Sequence, residues 1–424
     1  MMLPKFIRNI IPNFEIIDMK EWNSKGFIEI FLEKKEDDGQ NMLCCRCGTP
    51  LTISRGKHRM RLQHLPIFNL KVFIYLWREK RHCPCCKKAR SEALDFIAEE
   101  TPHLTKEYSW WLGRLCEISA VKNVSDLTSI DNMTLHRLDF GRLKRLVQRY
   151  KIPDVKRISV DEVYGRSKKY HAKESRDKQF FTVVCDLDSR RVVWVTESRD
   201  KKALDEFFLI IGKDRADKIE VVAMDQHDPY RASVKENCPN AEVVWDRFHL
   251  IQSFEKAMNE ERRDLHANSP ANSDIKYTAC GTFKYLFLKR AKDRTKKEAR
   301  HIEKVAKENK AFYYLELIKE KMLHIFNEKT EMDALWELTE LEDWIKFCCF
   351  ENLKKWFKHF MDNWDTIKNY FHHRVTSSLS EGQNNAIKAL KRRGFGYRNM
   401  LYFKLKILQV CGFLNSKYVP QNEY

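Results

Sequence analysis

The sequence predicts a multidomain protein of mixed α+β and α/β class. A cysteine-bearing module, a short helical segment and an alternating strand–helix domain follow one another, and a long helical insertion interrupts the last. Three observations carry this expectation. Two Cys-x-x-Cys pairs lie close to the N-terminus. Apolar runs of strand length alternate with helical periodicity from residue 156 to about 250. Residues 251–370 then hold long, charged helical pattern with no strand-like run. At 424 residues the chain is long for one core, and 26 Phe and 10 Trp in a 43% hydrophobic composition mark a folded chain. The expected division is 1–100, 101–150, 151–250, 251–370 and 371–424, the last holding a final core helix and a basic tail.

Taken in order, residues 26–33 alternate as a strand, and the acidic stretch 35–39 closes it as a turn. Cys44-Cys-Arg-Cys47 and Cys83-Pro-Cys-Cys86 follow, 35 residues apart, each leading into a turn. Two such knuckles can set four thiolates tetrahedrally around one Zn²⁺, and the alternating run 71–77 between them suits the hairpin of a zinc ribbon. Cys44, Cys47, Cys83 and Cys86 are the expected ligands, with Cys45 and Cys85 as spares. Four thiolates leave no open position, so this zinc is structural. The alternative is a set of buried free thiols. Residues 1–8 show no signal-peptide core, and no window reaches the roughly 18 apolar residues of a membrane span. The expectation is a cytoplasmic, nucleoid-associated protein with reduced thiols.

Helical patterns at 104–118, 121–127 and 133–150 come next, the first containing Trp110-Trp111. The third carries Arg137, Arg142, Lys144, Arg145 and Arg149. Helix, short helix, turn and basic helix suggest a helix-turn-helix with the last helix in a DNA major groove. Three helices joining two domains would show the same pattern, and the turn lacks the glycine often found there.

The alternating region reads as strands 157–164, 178–186 and 190–197, helix 201–212, strand 218–225, helix 228–237, strand 241–246 and a helix from 248. Three strands followed by helix-strand-helix-strand-helix is the order of an RNase H-like fold. Its first and fourth strands lie side by side, so Asp161 and Asp225 should face each other. Glu381 opens a later helical stretch. Carboxylates at the mouths of two buried strands, with one more on a packed helix, can hold two Mg²⁺ or Mn²⁺ for phosphodiester chemistry. A strand-terminal aspartate alone is often a turn former or helix cap. Glu162 points to the opposite strand face, and Asp228 is explained as a helix start.

Charge names the substrate. The chain carries +18, and residues 55–90 hold eleven Lys/Arg against one acid, Glu79. Residues 386–406 hold seven with no acid, among them Lys391, Arg392, Arg393 and Arg398. Both segments contain aromatics, which favours nucleic-acid binding over a merely solvated face. A further basic cluster at 289–297 could grip DNA, though a solvated helix face accounts for it more simply.

Several stretches resemble one family: Ile158-Ser-Val-Asp-Glu-Val-Tyr-Gly165, Thr182-Val-Val-Cys-Asp-Leu-Asp188, Met224-Asp-Gln-His-Asp-Pro-Tyr230, Asp246-Arg-Phe-His249 and Ser380-Glu-Gly-Gln-Asn-Asn-Ala-Ile-Lys388, continuing into Lys391-Arg-Arg-Gly-Phe-Gly-Tyr-Arg-Asn399. The chain is similar to bacterial insertion-sequence transposases of the ISL-three family from about residue 40 to 413. The resemblance implies a zinc ribbon, a helix-turn-helix and a DDE domain whose triad is Asp161, Asp225 and Glu381. It also implies that the 155 residues between Asp225 and Glu381 include the helical insertion. Lys388, two turns after Glu381, stands where such enzymes place a basic residue. Asp246-x-x-His249 resembles a motif of related transposases, while a packed histidine at a helix start remains the alternative. The implied partners are double-stranded DNA, as transposon ends and target, and further copies of the chain. Residues 170–178 depart from the family's usual pattern, being longer and more charged than a tight turn needs. A zinc-dependent DNA-binding regulator without catalysis is the rival reading, and a nuclease without strand transfer is a second.

Overall fold

The computed structural model describes residues 11, 13–35, 42–165, 176–270, 283–375, 378–415 and 417. The acidic turn expected at 35–39 and the charged loop at 170–178 fall largely outside these. The chain forms two compact units, residues 1–150 with 390–424, and residues 151–389.

In the first unit, β1 (Phe14–Trp22), β2 (Phe27–Lys34), β3 (Ser54–Ile67), β4 (Leu70–Cys83) and β5 (Lys88–Ser91) build a sheet ordered β1-β2-β4-β3, with β5 also pairing β4. Strand β2 runs parallel to β4, and the other pairs are antiparallel. Alternation puts Ile28, Ile30, Leu32, Leu62, Val72, Ile74 and Leu76 in one core. The hairpin expected between the cysteine pairs is β3–β4. Sequence reasoning missed β1, whose mostly exposed residues and register shift between Ile16 and Asp18 hide the alternation.

Three helices follow, α1 (Lys106–Ile118), α2 (Val121–Thr128) and α3 (Asn132–Arg149). Thr105 and Asp131 cap α1 and α3 by accepting from Tyr108 and Thr134 amides. The turn does without glycine because Ser129 takes the left-handed conformation, φ 58°.

The second unit opens with β6 (Arg157–Tyr164), β7 (Phe180–Asp186) and β8 (Arg191–Glu197). Then come α4 (Lys201–Ile211), α5 (Lys213–Ala216), β9 (Val221–Met224), α6 (Asp228–Asn237), β10 (Glu242–Trp245) and α7 (Arg247–Asn268). The sheet order is β10-β9-β6-β7-β8. Strands β6, β9 and β10 are parallel, and β7 and β8 run antiparallel to their neighbours.

The insertion holds α8 (Phe283–Leu288), α9 (Lys296–Glu308), α10 (Lys310–Ile325), α11 (Glu331–Phe347), α12 (Glu351–Asp362), α13 (Trp364–Ile367) and α14 (Asn369–His373). Its core joins α7 to β9 and β10 through Val221, Val244, Phe254, Phe312, Leu338 and Phe360. Asn369 Nδ2 donates to Val243 O at 2.9 Å, which satisfies a carbonyl on the β10 edge.

Helices α15 (Ser378–Arg393) and α16 (Met400–Val410) end the described chain. The expected segment 371–424 is therefore divided. Residues from Leu390 onward belong with the N-terminal unit, where Tyr402 and Lys406 of α16 reach the buried Asp139 of α3. A sequence read by neighbouring segments cannot see that closure over more than 260 residues, the separation of the Tyr402–Asp139 pair being 263.

Candidate active site and metal centre

The parallel pairing of β6 with β9 sets Val160 opposite Met224, so Asp161 and Asp225 follow at one level of the sheet. Strand β9 stops there, while β6 continues to Tyr164 along β7. Each aspartate accepts the amide of its successor, Glu162 or Gln226, at 2.6 Å. Helix α15 docks at the same place. Asn384 Nδ2 donates to Asp161 Oδ2 at 2.7 Å, and Gln383 Nε2 donates to Arg190 O at 2.8 Å. Glu381 and Lys388 share the helical stripe of Asn384, one turn before it and one after, and both are exposed.

His249 joins the group from α7. Its Nδ1 lies 3.5 Å from Asp225 Oδ2 and its Nε2 3.6 Å from Asp246 Oδ2. Asp246 is buried and caps α7, accepting the Phe248 amide at 3.0 Å. Burial pushes the Asp161 carboxyl up to about 6, Asp225 and Asp246 add to the rise, and the Glu162 amide and His249 oppose it. The side chains of Asp161, Asp225 and Asp246 thus crowd negative charge around His249. Glu162 faces away and pairs with Arg199 at 2.9 Å.

The cysteine module is a second site. Sγ atoms of Cys44, Cys47, Cys83 and Cys86 all lie within 4.8 Å of one another, with Cys47 3.5 Å from both Cys83 and Cys86. Thiolates about 2.3 Å from a tetrahedral ion stand roughly 3.8 Å apart, so the cluster could bind zinc. The Arg46 amide donates to Cys44 Sγ and the Cys86 amide to Cys83 Sγ, and Gly48 and Lys87 turn left-handed just after each knuckle. Hydrogen bonding with Thr49 pulls the Cys47 thiol down to about 6. At Cys83 the Cys86 amide is outweighed by burial and the neighbouring thiols, which push it up to about 11. Cys45 and Cys85 are exposed and stand outside the cluster.

The expected DNA-contacting cations divide. Arg137 and Lys144 lie exposed along the outer stripe of α3, and Arg137 lines a cleft of about 650 Å³ with Arg61 and Lys71. Arg142 must be corrected. It lies on the inner stripe, 4% exposed in its side chain, paired with Glu117 and Asp139. Arg145 is partly exposed and pairs with Glu99 and Glu100. Arg393 is committed to the Ile118 and Glu117 carbonyls that end α1. Lys391 is partly buried, and burial lowers its pKa. Arg392 and Arg398 are exposed. Within the 289–297 cluster, Lys289 pairs with Glu298 and Arg294 with Glu316, so both are held inside the insertion. Sequence reasoning assigned no role to Asn384, although its place one turn after Glu381 was a legible signal.

The family described as transposase, of the DDE ISL3 type, matches residues 158–407, and the chain belongs to it. The chain is similar to the transposase for insertion sequence element IS1001 of Bordetella parapertussis. The two are 24% identical over 394 residues, which cover 86% of this chain and 88% of that one. It is likewise 24% identical over 382 residues to the transposase for insertion sequence element IS1557 of Mycobacterium tuberculosis, covering 84% and 82%. No helix among the described residues is long and apolar enough to cross a membrane.

Proposed function

We propose that this chain acts on an insertion sequence by binding its terminal inverted repeats in double-stranded DNA, cutting there and joining the strands to a target. In this reading the second unit is an RNase H-like core broken by the insertion between α7 and α15. Asp161, Asp225 and Glu381 are its catalytic triad. The observation that carries the reading is the Asn384–Asp161 hydrogen bond, which ties the helix bearing Glu381 to the strand bearing the first aspartate.

Two Mg²⁺ or Mn²⁺, when bound, supply the charge that activates the attacking oxygen and stabilises the leaving 3′-oxygen. Asp161, Asp225 and Glu381 would hold them. His249, between Asp225 and Asp246, orients the second carboxylate. Lys388 contacts a phosphate beside the triad. No side-chain nucleophile is needed, so no covalent protein–DNA bond forms.

The first unit finds the DNA. One structural Zn²⁺ on Cys44, Cys47, Cys83 and Cys86 braces the sheet, and α3 presents Arg137 and Lys144 to the duplex. Lys391, Arg392 and Arg398 add phosphate contacts. The chain works as a homo-oligomer on DNA within the nucleoid.

The test uses duplexes carrying the sequences that flank this reading frame. Wild-type protein with Mg²⁺ or Mn²⁺ is expected to nick them at the element ends, while Asp161→Ala binds them without cutting. Cutting by Asp161→Ala at the wild-type rate would overturn the triad.

A further inference from the structure

Helix α15 ends on a left-handed residue that is not glycine, as α2 does at Ser129. The Gly396 amide donates to Lys391 O at 2.9 Å, and the Phe395 amide donates to Arg392 O at 3.0 Å. This pair of bonds closes a helix with one residue in the left-handed region, where glycine is the ordinary choice because a Cβ is disfavoured. The position is held by Phe395, φ 52°, with a glycine on either side. The residue is 91% exposed, so no packing among the described residues offsets the backbone strain.

The loop around it is firmly held. Tyr397 stacks on Phe403 with ring centres 4.7 Å apart and touches Tyr402 at 5.7 Å. A Cβ on Gly394 would come 2.8 Å from the Tyr397 ring, so that glycine is required by the anchor. Asn399 then caps α16 by accepting the Tyr402 amide at 3.0 Å. Between two helix ends, one aromatic ring is raised on a rigid support. Arg392 and Arg398 flank it, both exposed, and no acid occurs from 386 to 406.

Strain that persists without local compensation points to a use. A flat apolar ring set among cations matches one chemistry well, the base stack of DNA between its phosphates. We propose that Phe395 is a wedge that enters an unstacked base step of bound DNA, while Arg392 and Arg398 hold phosphates on either side. The inference rests on the reading that this chain binds DNA, but it does not depend on the triad.

The experiment uses the full chain carrying Asp161→Ala, so that no strand is cut, and short fluorescein-labelled duplexes. One duplex is fully paired and the other has a central mismatch that opens the stack. Phe395 should favour the mismatched duplex by about five- to 150-fold, the worth of one aromatic–base stack. Phe395→Gly should lose that preference yet melt at the same or a higher temperature, because glycine relieves the left-handed position. Phe395→Trp should keep the preference. Retention of the preference in Phe395→Gly would overturn the wedge. So would a lower melting temperature, which would make the ring structural, or a change confined to sedimentation, which would make it a protein contact. A wild-type chain that cuts DNA but shows no mismatch preference defeats the wedge alone. One that shows the preference but never cuts defeats the triad alone.

Discussion

Asn384 Nδ2 donates to Asp161 Oδ2 at 2.7 Å, joining a helix to a strand 223 residues earlier. The same carboxylate accepts the Glu162 amide on its other oxygen. A half-buried carboxylate with both oxygens engaged is fixed in orientation before any ligand arrives, which is what a metal-holding group requires.

Asn384→Ala should therefore slow strand cleavage without weakening DNA binding. A hydrogen bond to a charged group contributes about 1.5–3 kcal/mol, so a single-turnover rate should fall roughly ten- to hundredfold. Wild-type turnover by the variant in both Mg²⁺ and Mn²⁺ would remove Asn384 from the site.

Zinc removal should act on the first unit alone. Purified, reduced protein is expected to hold about one tightly bound zinc per chain. Cys47→Ser should release it and make residues 42–91 protease-sensitive while the sheet of the second unit stays folded. Metal analysis that finds no zinc in fresh, reduced protein would defeat the assignment.

Two arginines on α3 should behave oppositely. Arg142→Ala leaves Asp139 and Glu117 short of a partner and should destabilise the first unit by about 3–5 kcal/mol. Arg137→Ala should leave the melting temperature unchanged and lower the salt slope of DNA binding by about 1. An Arg137→Ala variant with an unaltered slope would show that the outer stripe of α3 does not meet phosphate.

The buried Asp139 makes stability depend on acid. Burial by itself would raise its pKa, but Lys406 and Arg142, with the Tyr402 hydroxyl, outweigh this and hold it below the usual range. A depressed carboxylate stabilises fully above its unfolded pKa, about 3.9, and that stability is lost as pH falls through the lower folded value. Asp139→Asn should be less stable than wild type at neutral pH, with the gap closing only below about pH 4. A gap that stays constant from neutral pH to pH 2 in urea titrations would contradict the ionised pair.

The cysteine cluster was legible because knuckle spacing is a local property, read within four residues of chain. The adjacent placement of Asp161 and Asp225 was legible for a similar reason, since each ends a short apolar run. The pattern on α3 was only partly legible. Helical period alone does not say which stripe is inner, and Arg142, which the basic pattern offers as a DNA contact, is instead buried against Glu117 and Asp139.

By itself, then, the amino-acid sequence determined the element order from residue 156 to about 250, the knuckles, the strand-end carboxylates and the positive charge, all carried by neighbours in the chain. Only the tertiary structure decided that Asn384 grips Asp161 and that α16 closes over α3. It also decided that Phe395 stands clear of every core among the described residues. The physical reason is range: periodicity and spacing register contacts within a turn or a hairpin, whereas burial and ion pairing depend on which distant surface arrives.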